Sequence, residues 1–121
     1  MTDKKENNVH KTEYGYKLIW AEQKTHGGII HVFENPAKTD FVFHSNKEKS
    51  YFINSGKFIF RWIETSDGQI YQQEGTEGFV FTVNNMVPSS LECISKTGSL
   101  TEVNNGSLDD EFVVIKKENI L

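Results

Sequence analysis

The sequence predicts an all-β domain, a barrel or two-sheet sandwich, and three observations lead there. Apolar and polar residues alternate with period two through short segments rich in Phe, Val, Ile and Tyr. Turn signals recur roughly every 8–12 residues. They are Asn35-Pro36, Asp67-Gly68, the stretch 75–78, Thr97-Gly98 and Asn105-Gly106. No segment offers a helical face of useful length, and the one helical candidate is the short stretch 116–121.

The elements follow in order. Residues 1–13, polar throughout, are read as a flexible tail, which leaves 14–121 as the domain. Strands are predicted at 16–20 (YKLIW) and 28–33 (GIIHVF), where β-branched and aromatic side chains recur. Residues 39–44 (TDFVFH) and 50–54 (SYFIN) flank a polar turn. Residues 57–64 (KFIFRWIE) place Phe58, Phe60 and Trp62 on one face and Ile59, Arg61 and Ile63 on the other. Residues 69–73 (QIYQQ) follow the turn at Ser66-Asp67-Gly68. Strands at 78–83 (GFVFTV), 90–95 (SLECIS), 100–103 (LTEV) and 111–116 (EFVVIK) complete the set.

At 121 residues the chain is one domain, large enough for a core without disulfides. Nine Phe against two Met predict an aromatic, rigid core. A net charge of -4 and the lack of a basic block argue against nucleic-acid binding. The single cysteine, Cys93, excludes an internal disulfide and a Cys-rich zinc site, and alternates with Leu91 as a buried thiol would. No apolar run approaches the ~18 residues of a membrane span. The N-terminus lacks an apolar signal core, so with one unpaired Cys the expected compartment is cytoplasmic. Asn105-Gly106-Ser107 matches a glycosylation sequon and is read as a tight turn.

Residues 40–56, DFVFHSNKEKSYFINSG, carry the most specific signal. A histidine, His44, ends an apolar strand; a polar turn follows, then an aromatic strand that stops at Gly56. A second stretch runs from a glycine through a strand (78–83) and a Pro-containing turn (NNMVP, 84–88) to Ser89. Together these resemble the two motifs of the cupin family, over roughly residues 15–115. KLIW (17–20) and SLDDEFVV (107–114) are similar to small cupins of the mannose-6-phosphate isomerase-like, sugar-nucleotide-associated group. The resemblance implies a double-stranded β-helix, a jelly-roll barrel. It also implies a metal site, from which this chain departs. Asn46 stands at the second histidine position, Lys49 at the glutamate position and Ser89 at the third histidine position. Asn46 and Ser89 are poor donors and Lys49 would repel a cation, so no metal and no cofactor are expected.

The candidate ligand-binding residues are His44, Lys47, Lys49, Tyr51 and Arg61, with His44 the catalytic candidate. His44 serves either as a barrel histidine hydrogen-bonded to a neighbour or as an acid/base group. Lys47 and Lys49 suit a phosphate or carboxylate, or form a solvated turn balanced by Glu48. Arg61 suits a ligand, an acid across a subunit boundary or an exposed face. His31 is the alternative metal ligand, in place of a lost one, and Tyr51, Gln73 and Glu92 are polar strand residues suited to a cavity. Three functions follow: a metal-free binding protein for a sugar or sugar phosphate, a sugar or nucleotide-sugar isomerase or epimerase using His44 with Lys49 or Tyr51, and a structural or interaction module with a filled barrel. An open polar cavity favours the first two. The expected partners are a small molecule and a second copy in a homodimer, with no nucleic acid and no membrane.

Overall fold

The computed structural model describes residues 8–106 and 111–120. The expected tail over 1–7, the SLDD of SLDDEFVV, Ser107 of the sequon and Leu121 of the helical candidate lie outside the described residues. Twelve strands are present: β1 Val9–Lys11, β2 Gly15–Glu22, β3 Gly27–Phe33, β4 Ala37–Lys38, β5 Phe41–His44, β6 Lys49–Ser55, β7 Phe58–Ile63, β8 Ile70–Gly75, β9 Val80–Val83, β10 Ser89–Cys93, β11 Gly98–Asn104 and β12 Glu111–Ile115. A 3-10 turn, Lys117–Asn119, occupies the helical candidate.

The strands form two facing antiparallel sheets. One has the order β1-β2-β3-β11-β6-β9 and the other β12-β5-β10-β7-β8, with β4 also pairing β10. From β5 onward the chain passes back and forth between the sheets, so that strands distant in sequence, β3 and β11 or β5 and β10, become neighbours within a sheet, as in a double-stranded β-helix. All ten strands expected from period-two alternation are present. The two short ones, β1 and β4, carry too few residues to show a period.

β1 corrects the tail reading for residues 9–11: Val9 lies opposite Leu18 and Lys11 opposite Tyr16. The Ile19 N–H donates to the Asn8 carbonyl at 3.1 Å, and the Glu13 carboxylate pairs with the Lys117 ammonium. Polar composition misled here because an edge strand can expose both faces, as all three residues of β1 do.

The core is as aromatic as composition implies. Phe33, Tyr51, Ile53, Leu100 and Val83 from the first sheet meet Phe58, Phe60, Leu91 and Cys93 from the second. Phe58 and Phe60 point inward, so alternation sends Arg61 out. Cys93 is a buried free thiol.

Gly56, at the end of β6, holds φ +90, and a Cβ there would sit 2.6 Å from the Thr97 carbonyl oxygen. Both the left-handed conformation and the close approach require glycine. The chain therefore reverses tightly enough for β7 to cross into the opposite sheet.

Candidate functional site

The two ends of the barrel differ because the inward side chains change along each strand. On β3, fully buried Phe33 is followed two residues back by His31; on β11, Leu100 is followed by Glu102. On β6 the series is Ile53, Tyr51, Lys49, and on β10 it is Cys93, Leu91, Ser89. Antiparallel register brings the polar members to one end: Lys17 lies opposite His31, and Glu102 opposite Tyr51. The result is an apolar closed end and an open cavity of about 300 Å³ at the other.

Four of the residues expected at a ligand site, His44, Lys47, Lys49 and Tyr51, line this cavity, as does Ser89. Arg61 does not. It lies on the outer face of its sheet, with Nη1 donating to Glu92 Oε1 at 2.9 Å and Nε to Gln72 Oε1 at 3.3 Å. Its acid partner sits in the same sheet rather than across a subunit boundary. Glu92 is thereby also drawn away from the interior, and Gln73 is exposed, with its side-chain amide donating to the Glu74 carbonyl.

His44 is buried at the end of β5. Its Nε2 lies 3.3 Å from Lys49 Nζ and 3.9 Å from Glu111 Oε2. The 84–88 turn is clipped to it: the Met86 N–H donates to the His44 carbonyl at 2.7 Å, and the Asn85 amide donates to the Ser45 carbonyl at 2.9 Å. Met86 takes φ 70 to make that reach. The turn sets Ser89 at the cavity wall from which β10 begins. Lys49 Nζ also stands 5.7 Å from the centroid of the Tyr51 ring, within cation–π range. Burial pushes the Tyr51 phenol well up, so it stays protonated at neutral pH.

The positions that hold metal in the cupin pattern do not fit a metal here. Lys49 puts an ammonium beside the only imidazole of the set. Asn46 is exposed, outside the cavity lining, with its side-chain Nδ2 donating to Ser45 Oγ at 3.3 Å. Ser89 supplies only a hydroxyl. Among the described residues no three or more His, Cys, Asp or Glu side chains converge as a metal site.

A second cluster shares the cavity. His31 Nε2 is 2.7 Å from Glu102 Oε1, and Tyr14 Oη is 3.1 Å from His31 Nδ1. Asn104 Nδ2 donates to Glu102 Oε2 at 2.9 Å. Burial alone would raise the Glu102 carboxyl. The hydrogen bond and charge of His31, helped by Lys49 and Asn104, overcome it and hold the group at about 2. His31 thus turns to a carboxylate rather than to the family's metal positions. Sequence reasoning missed Tyr14 and Glu102. Glu102 had a signal, since it shares the inward face of β11 with Leu100; Tyr14 had none, because it precedes its strand.

No protein-family model matches the sequence, and no curated protein matches it. Solved structures do match its shape. The capsular polysaccharide assembling protein CapF from Staphylococcus aureus superposes with a TM-score of 0.79 at 12% identity, over 88% of this chain and 34% of that one. Oxalate decarboxylase from Bacillus subtilis gives 0.78 at 12% identity, over 89% and 30%. KdgF from Halomonas sp. gives 0.67 at 12% identity, over 89% and 87%. The chain spans about a third of the length of the CapF and oxalate decarboxylase chains. Identity this low speaks to fold alone, and all three are cupin-fold proteins. By its two-sheet topology and by these superpositions, the chain is a small cupin in fold.

Proposed function

We propose that the chain binds a small polar molecule, a sugar or sugar phosphate, in the open end of its barrel without the help of a metal. The observation that carries this reading is the cavity itself. Its volume of about 300 Å³ is at the lower end for small-ligand sites. Its wall mixes donors and acceptors: the Ser89 hydroxyl, the Asp40 carboxylate, and the ammonium groups of Lys47 and Lys49. Sugar hydroxyls need both kinds of partner, and a phosphate needs the two lysines. A filled interaction module would need apolar side chains through the whole barrel, and here the phenylalanines fill only the closed end, while the open end is lined by polar side chains and two tyrosines.

Calorimetric titration with glucose 6-phosphate, fructose 6-phosphate, glucuronate and inorganic phosphate tests the reading. At least one sugar should bind. Lys47→Ala and Lys49→Ala should each weaken a phosphorylated sugar on the order of tenfold, about 1.4 kcal/mol. No heat from any sugar at millimolar concentration would reject the proposal.

A further inference from the structure

Ligand binding leaves one buried assembly unused. Tyr14, His31 and Glu102 form a continuous hydrogen-bonded chain that ends in the cavity, with links of 3.1 Å and 2.7 Å. Both its ends are braced. The Tyr14 ring stacks on Phe33, centroids 3.9 Å apart and planes at 12°. At the other end Asn104 Nδ2 donates to Glu102, and Asn104 Oδ1 accepts the Gly106 N–H at 2.9 Å. A buried histidine–carboxylate contact is weak support for stability. One that terminates on a phenol lining an open cavity has a chemical use.

We infer that Tyr14, His31 and Glu102 are a proton relay, with the Tyr14 phenol removing a proton from the carbon next to the carbonyl of a sugar-type ligand. The inference rests on the ligand class proposed above. It places the acid/base chemistry on a different cavity wall from His44.

The polarity of the chain sets the direction. The relay uses the tautomer in which His31 gives its Nε2–H to Glu102, 2.7 Å away, and turns its Nδ1 lone pair to the Tyr14 hydroxyl, 3.1 Å away. As Tyr14 Oη takes the substrate proton, the phenol's own proton passes to His31 Nδ1. The resulting imidazolium is balanced by Glu102. The electron pair of the broken C–H bond becomes the double bond of an enolate, and the charge moves to the former carbonyl oxygen. Lys49, in the same cavity, offers an ammonium to that oxygen. Return of the proton to the same carbon from the opposite face epimerises the ligand; delivery to the former carbonyl carbon, with the hydroxyl proton of the deprotonated carbon passing to the enolate oxygen, isomerises it. No outside oxidant, reductant or co-reactant is required. Tyr14 is the catalytic residue, and His31 and Glu102 act through it.

The test incubates the full chain in D₂O with glucose 6-phosphate, fructose 6-phosphate and glucuronate. Loss of the proton next to the carbonyl is followed by NMR, and binding of the same probes by calorimetry. The relay predicts exchange in at least one probe that binds. Tyr14→Phe keeps the ring stack and should abolish exchange. Glu102→Gln should slow it on the order of 10²-fold or more while the Kd of the probe is unchanged, a split that a purely structural role would not produce. Tyr14→Phe carries the test by itself if Glu102→Gln fails to fold. Binding without exchange in every probe overturns the relay and leaves the ligand reading standing. Exchange that survives Tyr14→Phe also overturns it. Absence of binding removes both.

Discussion

At the scale of single residues, Lys49 and Glu102 decide the character of the cavity. Lys49 brings a cation to a position where the cupin pattern would place a carboxylate. At ~4 Å and an effective dielectric of ~20, repulsion between two unit charges is about 4 kcal/mol, and a divalent ion doubles it. The purified protein is therefore expected to carry no stoichiometric transition metal, with EDTA changing neither its melting temperature nor ligand binding. About one metal per chain by elemental analysis would refute this. Conversely, Asn46→His, Lys49→Glu and Ser89→His together should create affinity for zinc or manganese. Glu102 makes a separate prediction. Its carboxyl falls from an ordinary 4.5 to about 2 on folding, so the folded state favours the ionised form. That contribution is fully present above the unfolded value and is lost as pH falls through the folded one. It amounts to about 3 kcal/mol at most. In urea unfolding, the stability gap between wild type and Glu102→Gln should narrow steadily from pH 5 to pH 2, and a constant gap would contradict this origin.

Among the elements, the β6–β7 reversal is the most constrained. Gly56 combines a left-handed φ with a Thr97 carbonyl oxygen where a Cβ would go. Gly56→Ala should destabilise by at least about 1–2 kcal/mol from backbone conformation alone, with the clash adding to it. Chemical denaturation measures this directly, and a neutral substitution would show that the reversal relaxes freely. The same period-two alternation that made the strands visible also grades them. β3, β6, β10 and β11 each exchange apolar for polar inward residues toward one end. The closed end is thus a packed aromatic core, and the open end a site.

For the whole molecule, the outer face of the first sheet bears on assembly. Val9, Leu18, Ile30, Thr101, Phe52 and Val80 lie directly opposite one another in turn across all six strands. Val9, Phe52 and Val80 are well exposed, so an apolar row crosses a solvent-facing sheet. A symmetric dimer that covers this row would bury it with its own copy. Light scattering at micromolar concentration should give about twice the 13.9 kDa chain mass, and Phe52→Lys should shift it toward the monomer. A monomeric wild type would refute the assembly.

Much of this was legible in the residues. Alternation located ten strands, because a side chain's face in a strand depends only on its position modulo two. Nine Phe announced the core, and the polar turn after His44 announced one wall of the cavity, with Lys47, Lys49 and Tyr51 on it. Only the tertiary structure decided the rest. Alternation assigns a face but not a neighbour, so nothing local could tell that Glu102 would meet His31, 71 residues away. Arg61 went outward to Glu92 because the core claimed Phe58 and Phe60, and its partner came from pairing β7 with β10. Which end of the barrel opens depends on antiparallel register across several strands at once, and that register forms only when the two sheets close on each other.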